Sequence, residues 1–254
     1  FDALIDYEGQ LVILVDEDGK LEALGRQINE LMKGGLDRAL ASDEFQSLAL
    51  GKVLLLSYPA GLKAQGLAIA KLNQGSGVDE VSACGVEIAK AVECKDILIL
   101  SGEFEKAANL VEGLALRNYN YLDQKTNTKI TTFNLQVMVQ SVEDHVDKIN
   151  QKLAVVDGVF FTRDLINAPA NVLTTTSFAE QLSALSELGI KVEVLDEPEL
   201  MKLGMRTLLC VGQGSDSPSK VVVMHWNGGG KEAPFALVGK GVVFDTGGIS
   251  LKPA

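Results

Sequence analysis

The residues best suited to chemistry lie in one stretch, FALVGKGVVFDTGGISLKPA, from Phe235 to Ala254. Lys240 and Asp245 stand at the two ends of a strand-to-loop passage, and Lys252 follows a short extended piece and precedes Pro253. Between them, Thr246-Gly247-Gly248 lets backbone approach a neighbour closely, because two glycines carry no Cβ. A carboxylate at a strand end on a glycine-rich loop suits a hard or borderline cation. A lysine joins such a site only as the neutral amine, so nearby divalent charge would have to lower its pKa far below ~10.4, a shift that burial also favours. The bland alternatives stay open at this point. Composition alone favours solvated surface cations for both lysines, Asp245 beside Gly-Gly can be a turn cap, and spacing does not decide between these roles.

Other chemistries are excluded cheaply. Gly239-x-Gly241 is followed by Phe244 where a dinucleotide-binding fingerprint needs its third glycine, and His225 stands where GGGK (228–231) needs the first glycine of a P-loop. Only two histidines occur, His145 and His225, with no H-E-x-x-H, so a histidine-based zinc site is excluded. His145 is expected to be solvated on a helix, and His225, alternating with Val223, to be a packed or surface strand residue. No G-x-S-x-G elbow is present for a serine nucleophile.

The bulk numbers narrow the classes further. The 254 residues are 46% hydrophobic and 22% charged, enough for one large or two ordinary domains with sizeable cores. A net charge of −11 with no Lys/Arg cluster argues against nucleic acid as a partner. The longest apolar runs, such as Ile97 to Leu100 and Val221 to Met224, are strand-sized, so no membrane span is expected. The N-terminus FDALIDYEGQ lacks the charged region of a secretory signal, and a first residue other than Met suggests that a few residues precede it. Cys84, Cys94 and Cys210 are too few and scattered for a disulfide framework; buried free thiols and a cytoplasmic location are expected.

Strands are expected at 11–19, 52–58, 66–72, 96–102 and 131–139, with helices at 21–36 (stopped by Gly-Gly), 78–93 and 105–119. Apolar residues at Val146, Ile149, Leu153, Val156 and Phe160 predict a long connecting helix over 142–165. Beyond it, Ser177 and Glu180 form a capping-box pattern for the next helix, 191–196 is a strand, and Asp196 with Glu199 caps a helix from Pro198. Three further strands are expected at 207–215, 220–226 and 234–244, the last two joined by a hairpin loop at 227–233. Such a set would leave an open apolar sheet without covering helices. The fold class is α/β: a smaller N-terminal α/β domain with a mixed sheet (1–141), a connecting helix (142–165), and the start of a larger α/β/α catalytic domain (166–254).

LVGKGVVFDTGGISLKP resembles the signature segment of the leucine aminopeptidase (cytosol aminopeptidase) family of two-metal exopeptidases. DLINAPANVLTTTSFAE, with Asn167, Pro169 and Asn171, and LGMRTLLCVGQGSDSPSKVVVMHW resemble the same family, so the specific resemblance runs from about Phe161 to Ala254. The first 140 residues fit the family's N-terminal domain in size and pattern only. The resemblance implies that Lys240 is a metal ligand through its neutral amine, that Asp245 bridges two metals, and that Lys252 hydrogen-bonds the scissile carbonyl oxygen. It implies release of an N-terminal amino acid, preferably leucine or another apolar residue, by a two-metal-activated water, with the metals being manganese or zinc and magnesium or cobalt as alternatives. It also implies peptide substrates with a free N-terminus and a homohexamer.

The family's remaining metal ligands lie in later segments, a D-M-G-G-like one and an N-T-D-A-E-G-R one whose arginine helps position a bicarbonate. Neither segment is present here. The expectation is therefore that activity requires residues beyond Ala254. Two alternatives remain from the sequence: a catalytically incomplete assembly or binding module, and an ATP-phosphate-binding protein built on Asp245-Thr246-Gly247-Gly248.

Overall fold

A computed structural model describes residues 2–92, 94–126 and 133–244, with side chains described from Leu4 onward. The chain divides into two compact units, residues 1–163 and 164–254. In order, the first unit contains α1 (Asp2–Ile5), β1 (Gln10–Val15), α2 (Ala23–Leu31), α3 (Gly35–Leu40), α4 (Asp43–Gln46), β2 (Val53–Ser57), β3 (Gly66–Lys71), α5 (Val78–Ala91), β4 (Asp96–Gly102), α6 (Ala107–Arg117) and β5 (Asn134–Val139). Helix α7 (Val142–Asn167) runs across the division.

The five strands form one mixed sheet in the order β2-β3-β1-β4-β5. β3, β1, β4 and β5 are mutually parallel, and β2 joins the edge antiparallel to β3. Alternation along the strands sorts the core into two layers. Leu11, Ile13, Leu67, Ile69, Leu98 and Leu100 face Ile28, Leu36, Leu40 and Phe45 of α2–α4. Val12, Ala68, Ala70, Ile97 and Ile99 face Val81, Cys84 and Ile88 of α5 and Leu110 and Leu114 of α6. Helices on both faces explain why the central strands read as near-continuous apolar runs. Helices α5 and α6 cross at Gly85 and Gly113, where backbone meets backbone.

Lys71 closes β3 with a buried ammonium. Its Nζ donates to the carbonyl oxygens of Phe45 (3.3 Å), Gln46 (3.4 Å) and Leu48 (2.9 Å). These acceptors belong to the end of α4 and the turn after it, and the Phe45 ring centroid lies 4.9 Å from the same nitrogen. Three carbonyls and a ring face thus replace the water that a lysine would otherwise keep.

The second unit contains α8 (Thr175–Ala184), a short 3₁₀ turn at Leu185–Leu188, β6 (Lys191–Leu195), α9 (Glu197–Lys202), α10 (Arg206–Gly212) and β7 (Val221–His225). β6 and β7 pair antiparallel, Lys191 opposite His225. The Asp196–Glu199 capping box forms as the sequence predicts.

Several expectations are corrected. The run 207–215 is helix α10 in its first part, because a short apolar run fits a buried strand or a helix turn equally well. The 234–244 strand is absent, and with it the 227–233 hairpin: among the described residues β7 pairs with β6 alone, so that run has no ladder to join. The expected open three-stranded sheet is therefore a two-stranded one. The helix expected over 21–36 is two, separated by left-handed residues at Lys33 (φ 52°) and Gly34 (φ 79°). The capping box of α8 is one turn early: Thr174 is the N-cap, and Ser177 Oγ accepts from Thr174 N at 2.9 Å, leaving no such role for Glu180. His145 is buried rather than solvated, with Nδ1 2.9 Å from the Ser141 carbonyl oxygen and Nε2 3.4 Å from that of Phe104. Cys210 is exposed and Cys94 half-buried, so only Cys84 is the buried thiol expected of all three.

Burial pushes the Cys84 thiol up to about 12, with Glu87 and Glu80 adding to the effect. Tyr7 is likewise pushed up to about 12 by burial, then by Asp96 and Cys94, and its hydroxyl is enclosed without a hydrogen-bond partner. In the unfolded chain these groups ionise near ~8.5 and ~10. Both folded values are raised, so the stability they contribute is complete below the unfolded values and is lost as pH climbs toward 12. The urea midpoint is expected to fall steadily from about pH 8.5 to pH 11, and Cys84→Ala should flatten the early part of that fall. A midpoint constant over this range would contradict the buried thiol.

Candidate functional site

The second unit is entered through Asn167-Ala168-Pro169-Ala170-Asn171. Helix α7 ends at Asn167, and the amides of Val172 and Leu173 both donate to the Pro169 carbonyl, at 2.8 and 2.9 Å. Ser177 Oγ then donates to the Val172 carbonyl at 2.9 Å, tying this turn to the first turn of α8. Proline stops the long helix, and the Thr174 cap starts the next one five residues later.

Lys240 lies in the stretch after β7 that has no regular structure, and its side chain is exposed. Two observations hold its backbone. Val242 N donates to Lys240 O at 3.0 Å, closing a three-residue turn, and Gly241 lies against α8 so closely that a Cβ there would sit 3.1 Å from Phe178 Cε1. The position of Lys240 is thus set by a glycine resting on an aromatic ring of α8. Asp245 and Lys252 lie outside the described residues, so the structure places one of the three predicted site residues. Among the described residues no group of three or more His, Cys, Asp and Glu side chains converges as a metal site would.

The chemistry of the donor set can still be weighed. One amine and one carboxylate suit a borderline cation, and a cation held by both would need further ligands to complete its shell. A surface depression on the second unit, about 490 Å³, is lined by Leu188, Gly189, Lys191, His225, Trp226 and Asn227 and does not include Lys240. In the first unit a smaller cavity of about 190 Å³ sits at the carboxyl ends of β1, β3 and β4. No expectation from the sequence covers it, although the acidic turn after β1 and the Ser101-Gly102 pair closing β4 are both legible there.

The class is a mixed α/β protein, and the solved structures it resembles share that fold. A mutant of tomato leucine aminopeptidase superposes with a TM-score of 0.69 at 20% identity, covering 87% of this chain and 48% of that one. The bottromycin maturation enzyme BotP gives 0.65 at 18% identity, covering 87% and 46%. Sequence carries the assignment further. Residues 160–254 match the cytosol aminopeptidase family, catalytic domain. The chain is 42% identical to a "probable cytosol aminopeptidase" of Cereibacter sphaeroides, covering 100% of this chain and 52% of the relative. A protein of the same description from Dinoroseobacter shibae is 44% identical, with 100% and 52% covered. These matches support the leucine aminopeptidase (cytosol aminopeptidase) family for this chain, which spans about half the length of the curated relatives it matches.

Proposed function

We propose that the protein is a metal-dependent aminopeptidase that releases N-terminal amino acids, preferably leucine or other apolar residues, from peptides. The observation that carries this reading is the LVGKGVVFDTGGISLKP segment standing inside the 160–254 match. Lys240, through a neutral amine, and Asp245, through its carboxylate, would hold two divalent ions, manganese or zinc, with magnesium or cobalt as substitutes. The remaining ligands, and any bicarbonate, would come from the family's later segments. When bound, the ions supply an activated water and positive charge beside the scissile bond.

The chain's own contribution is positional and electrostatic. Lys252, as the ammonium, donates a hydrogen bond to the scissile carbonyl oxygen and offsets the negative charge that gathers there. The turn at Lys240–Val242, with Gly241 against Phe178, fixes where the segment leading to Asp245 begins. In the same reading residues 1–141 are an N-terminal domain, 142–165 a connecting helix and 166–254 the start of the catalytic domain. The protein would work in the cytoplasm as a homohexamer, on peptides with a free N-terminus and without nucleic-acid partners. No helix among the described residues is long and apolar enough to cross a membrane.

The test uses the whole protein, with its intact mass recorded. After dialysis against a chelator, hydrolysis of leucine p-nitroanilide is expected to fall at least ~100-fold and to return with manganese or zinc. Undiminished hydrolysis in the metal-free sample, or none in the metal-loaded one, would reject the proposal.

A further inference from the structure

The 190 Å³ cavity lies where the first unit's connections diverge. The chain leaves β1 toward the α2–α4 layer, whereas its two sheet neighbours β3 and β4 continue into α5 and α6 on the opposite face. In an open α/β sheet that divergence opens a crevice outside the carboxyl ends of the strands, where ligands bind. Here the crevice is built up by three separate segments. Glu22, just before α2, accepts a hydrogen bond at Oε1 from Gln74 Nε2 (2.9 Å), which follows β3. Its other oxygen, Oε2, lies over the end of β4, 3.3 Å from where a Cβ on Gly102 would stand. Gly102 has φ 55°, a conformation that favours glycine, and the β4–β5 register slips between Leu100 and Gly102. Bulges of this kind re-aim a strand end beside a site.

The residue skipped by that slip is Ser101. It lines the cavity, is 2% exposed, and its hydroxyl has no hydrogen-bond partner in the structure. Buried hydroxyls are normally paired, so an unpaired one at a cavity wall points to a group that arrives from outside the chain.

The lining also carries charge of both signs. Asp16 and Glu22 are carboxylates, Lys20 is a cation, Gln74 and Ser101 are neutral polar groups, and Leu24, Leu72 and Phe104 belong to the apolar part of the wall. Drug-sized ligands occupy roughly 300–1,000 Å³. A volume of about 190 Å³ therefore selects something smaller than a nucleotide. We propose that this cavity binds a free apolar α-amino acid as its zwitterion. Its ammonium faces Glu22 and Asp16, its carboxylate faces Lys20, and its side chain lies against Leu24, Leu72 and Phe104. The inference stands on the cavity and does not depend on the peptidase reading.

Equilibrium dialysis of the full chain with labelled L-leucine, in chelator so that no metal is present, tests it. One saturable site is expected. Glu22→Gln and Lys20→Met should each weaken it about tenfold or more, as should replacing leucine by leucinamide or by 4-methylpentanoate, which each lack one of the two charges. Circular dichroism of both variants checks that they remain folded; Glu22→Gln keeps an acceptor for Gln74. No saturable binding below about 10 mM overturns the proposal, and so does binding that neither variant weakens. Neither result bears on hydrolysis by the metal-loaded protein.

Discussion

Replacing Gly113 with valine is expected to unfold the first unit at ordinary temperature. A Cβ on Gly113 would run into the carbonyl oxygen of Ser82, and one on Gly85 into the carbonyl oxygen of Leu110, with the Leu114 nitrogen 2.8 Å away. The clash is with backbone on both sides, so no side chain can swing aside to relieve it. Ser82 Oγ also donates to the Asn109 carbonyl at 3.2 Å, which fixes the crossing from the α5 side. To admit even a methyl group the two helices must separate, lifting Leu110 and Leu114 from Val81, Cys84 and Ile88, all of them buried. Overpacking of this sort costs about 1–3 kcal/mol for small insertions. For valine, which adds two further carbons and forces the loss of that packing, about 4 kcal/mol or more is expected. Set against a total stability of roughly 5–15 kcal/mol, that removes most of the margin. Urea unfolding of Gly113→Ala should show a clear drop in midpoint, and Gly113→Val should lack a cooperative transition. An unchanged midpoint for the alanine variant would mean that the helices do not cross this closely.

The second large effect concerns the proposed chemistry. In the whole protein Lys252→Ala is expected to lower kcat on leucine p-nitroanilide by ~10²–10³, the usual loss when one donor to a developing oxyanion is removed. KM should change only a few-fold, because that hydrogen bond strengthens as charge develops rather than on binding. Metal content should stay at the wild-type level. Lys240→Ala should behave differently: its activity falls through weaker metal binding and is partly restored by excess manganese. If Lys252→Ala retains kcat within about threefold, the lysine does not serve the oxyanion, whatever the rest of the segment does.

Much of the first unit could be read from residue patterns because its strands and helices report their own burial. LVILV and GLAIAK are near-continuous apolar runs since helices cover both faces, and their short length between turn residues locates them. Reading failed where a local pattern had two physical solutions. TLLCV satisfies a strand and a helix turn alike, and ALVGKGVVF looks like a strand but finds no neighbour among the described residues. His145 is buried beside Phe104, far away in sequence, which no local pattern can reveal. The site divides the same way. Lys240, Asp245 and Lys252 stood out by type and spacing, yet the glycine contact that positions Lys240 comes from Phe178 on another element. The cavity of the first unit divides likewise: its acidic turn and its Ser101-Gly102 pair are legible, but Glu22, Gln74 and Ser101 belong to three segments that only the sheet order brings together.

The order of strands in that sheet also sets a timetable for synthesis. β1 is central but is made early, and its parallel partners come much later: Gln10 pairs with Gly66 on one side and with Ile97 on the other. At about 5–20 residues per second, the ribosome leaves an apolar LVILV segment unpaired for several seconds before β3 follows it out. Contacts so distant in sequence also form slowly once available. The nascent chain therefore passes through an interval in which its most apolar strand has no mate, and a chaperone present at the tunnel exit would find its binding segment at residues 11–15.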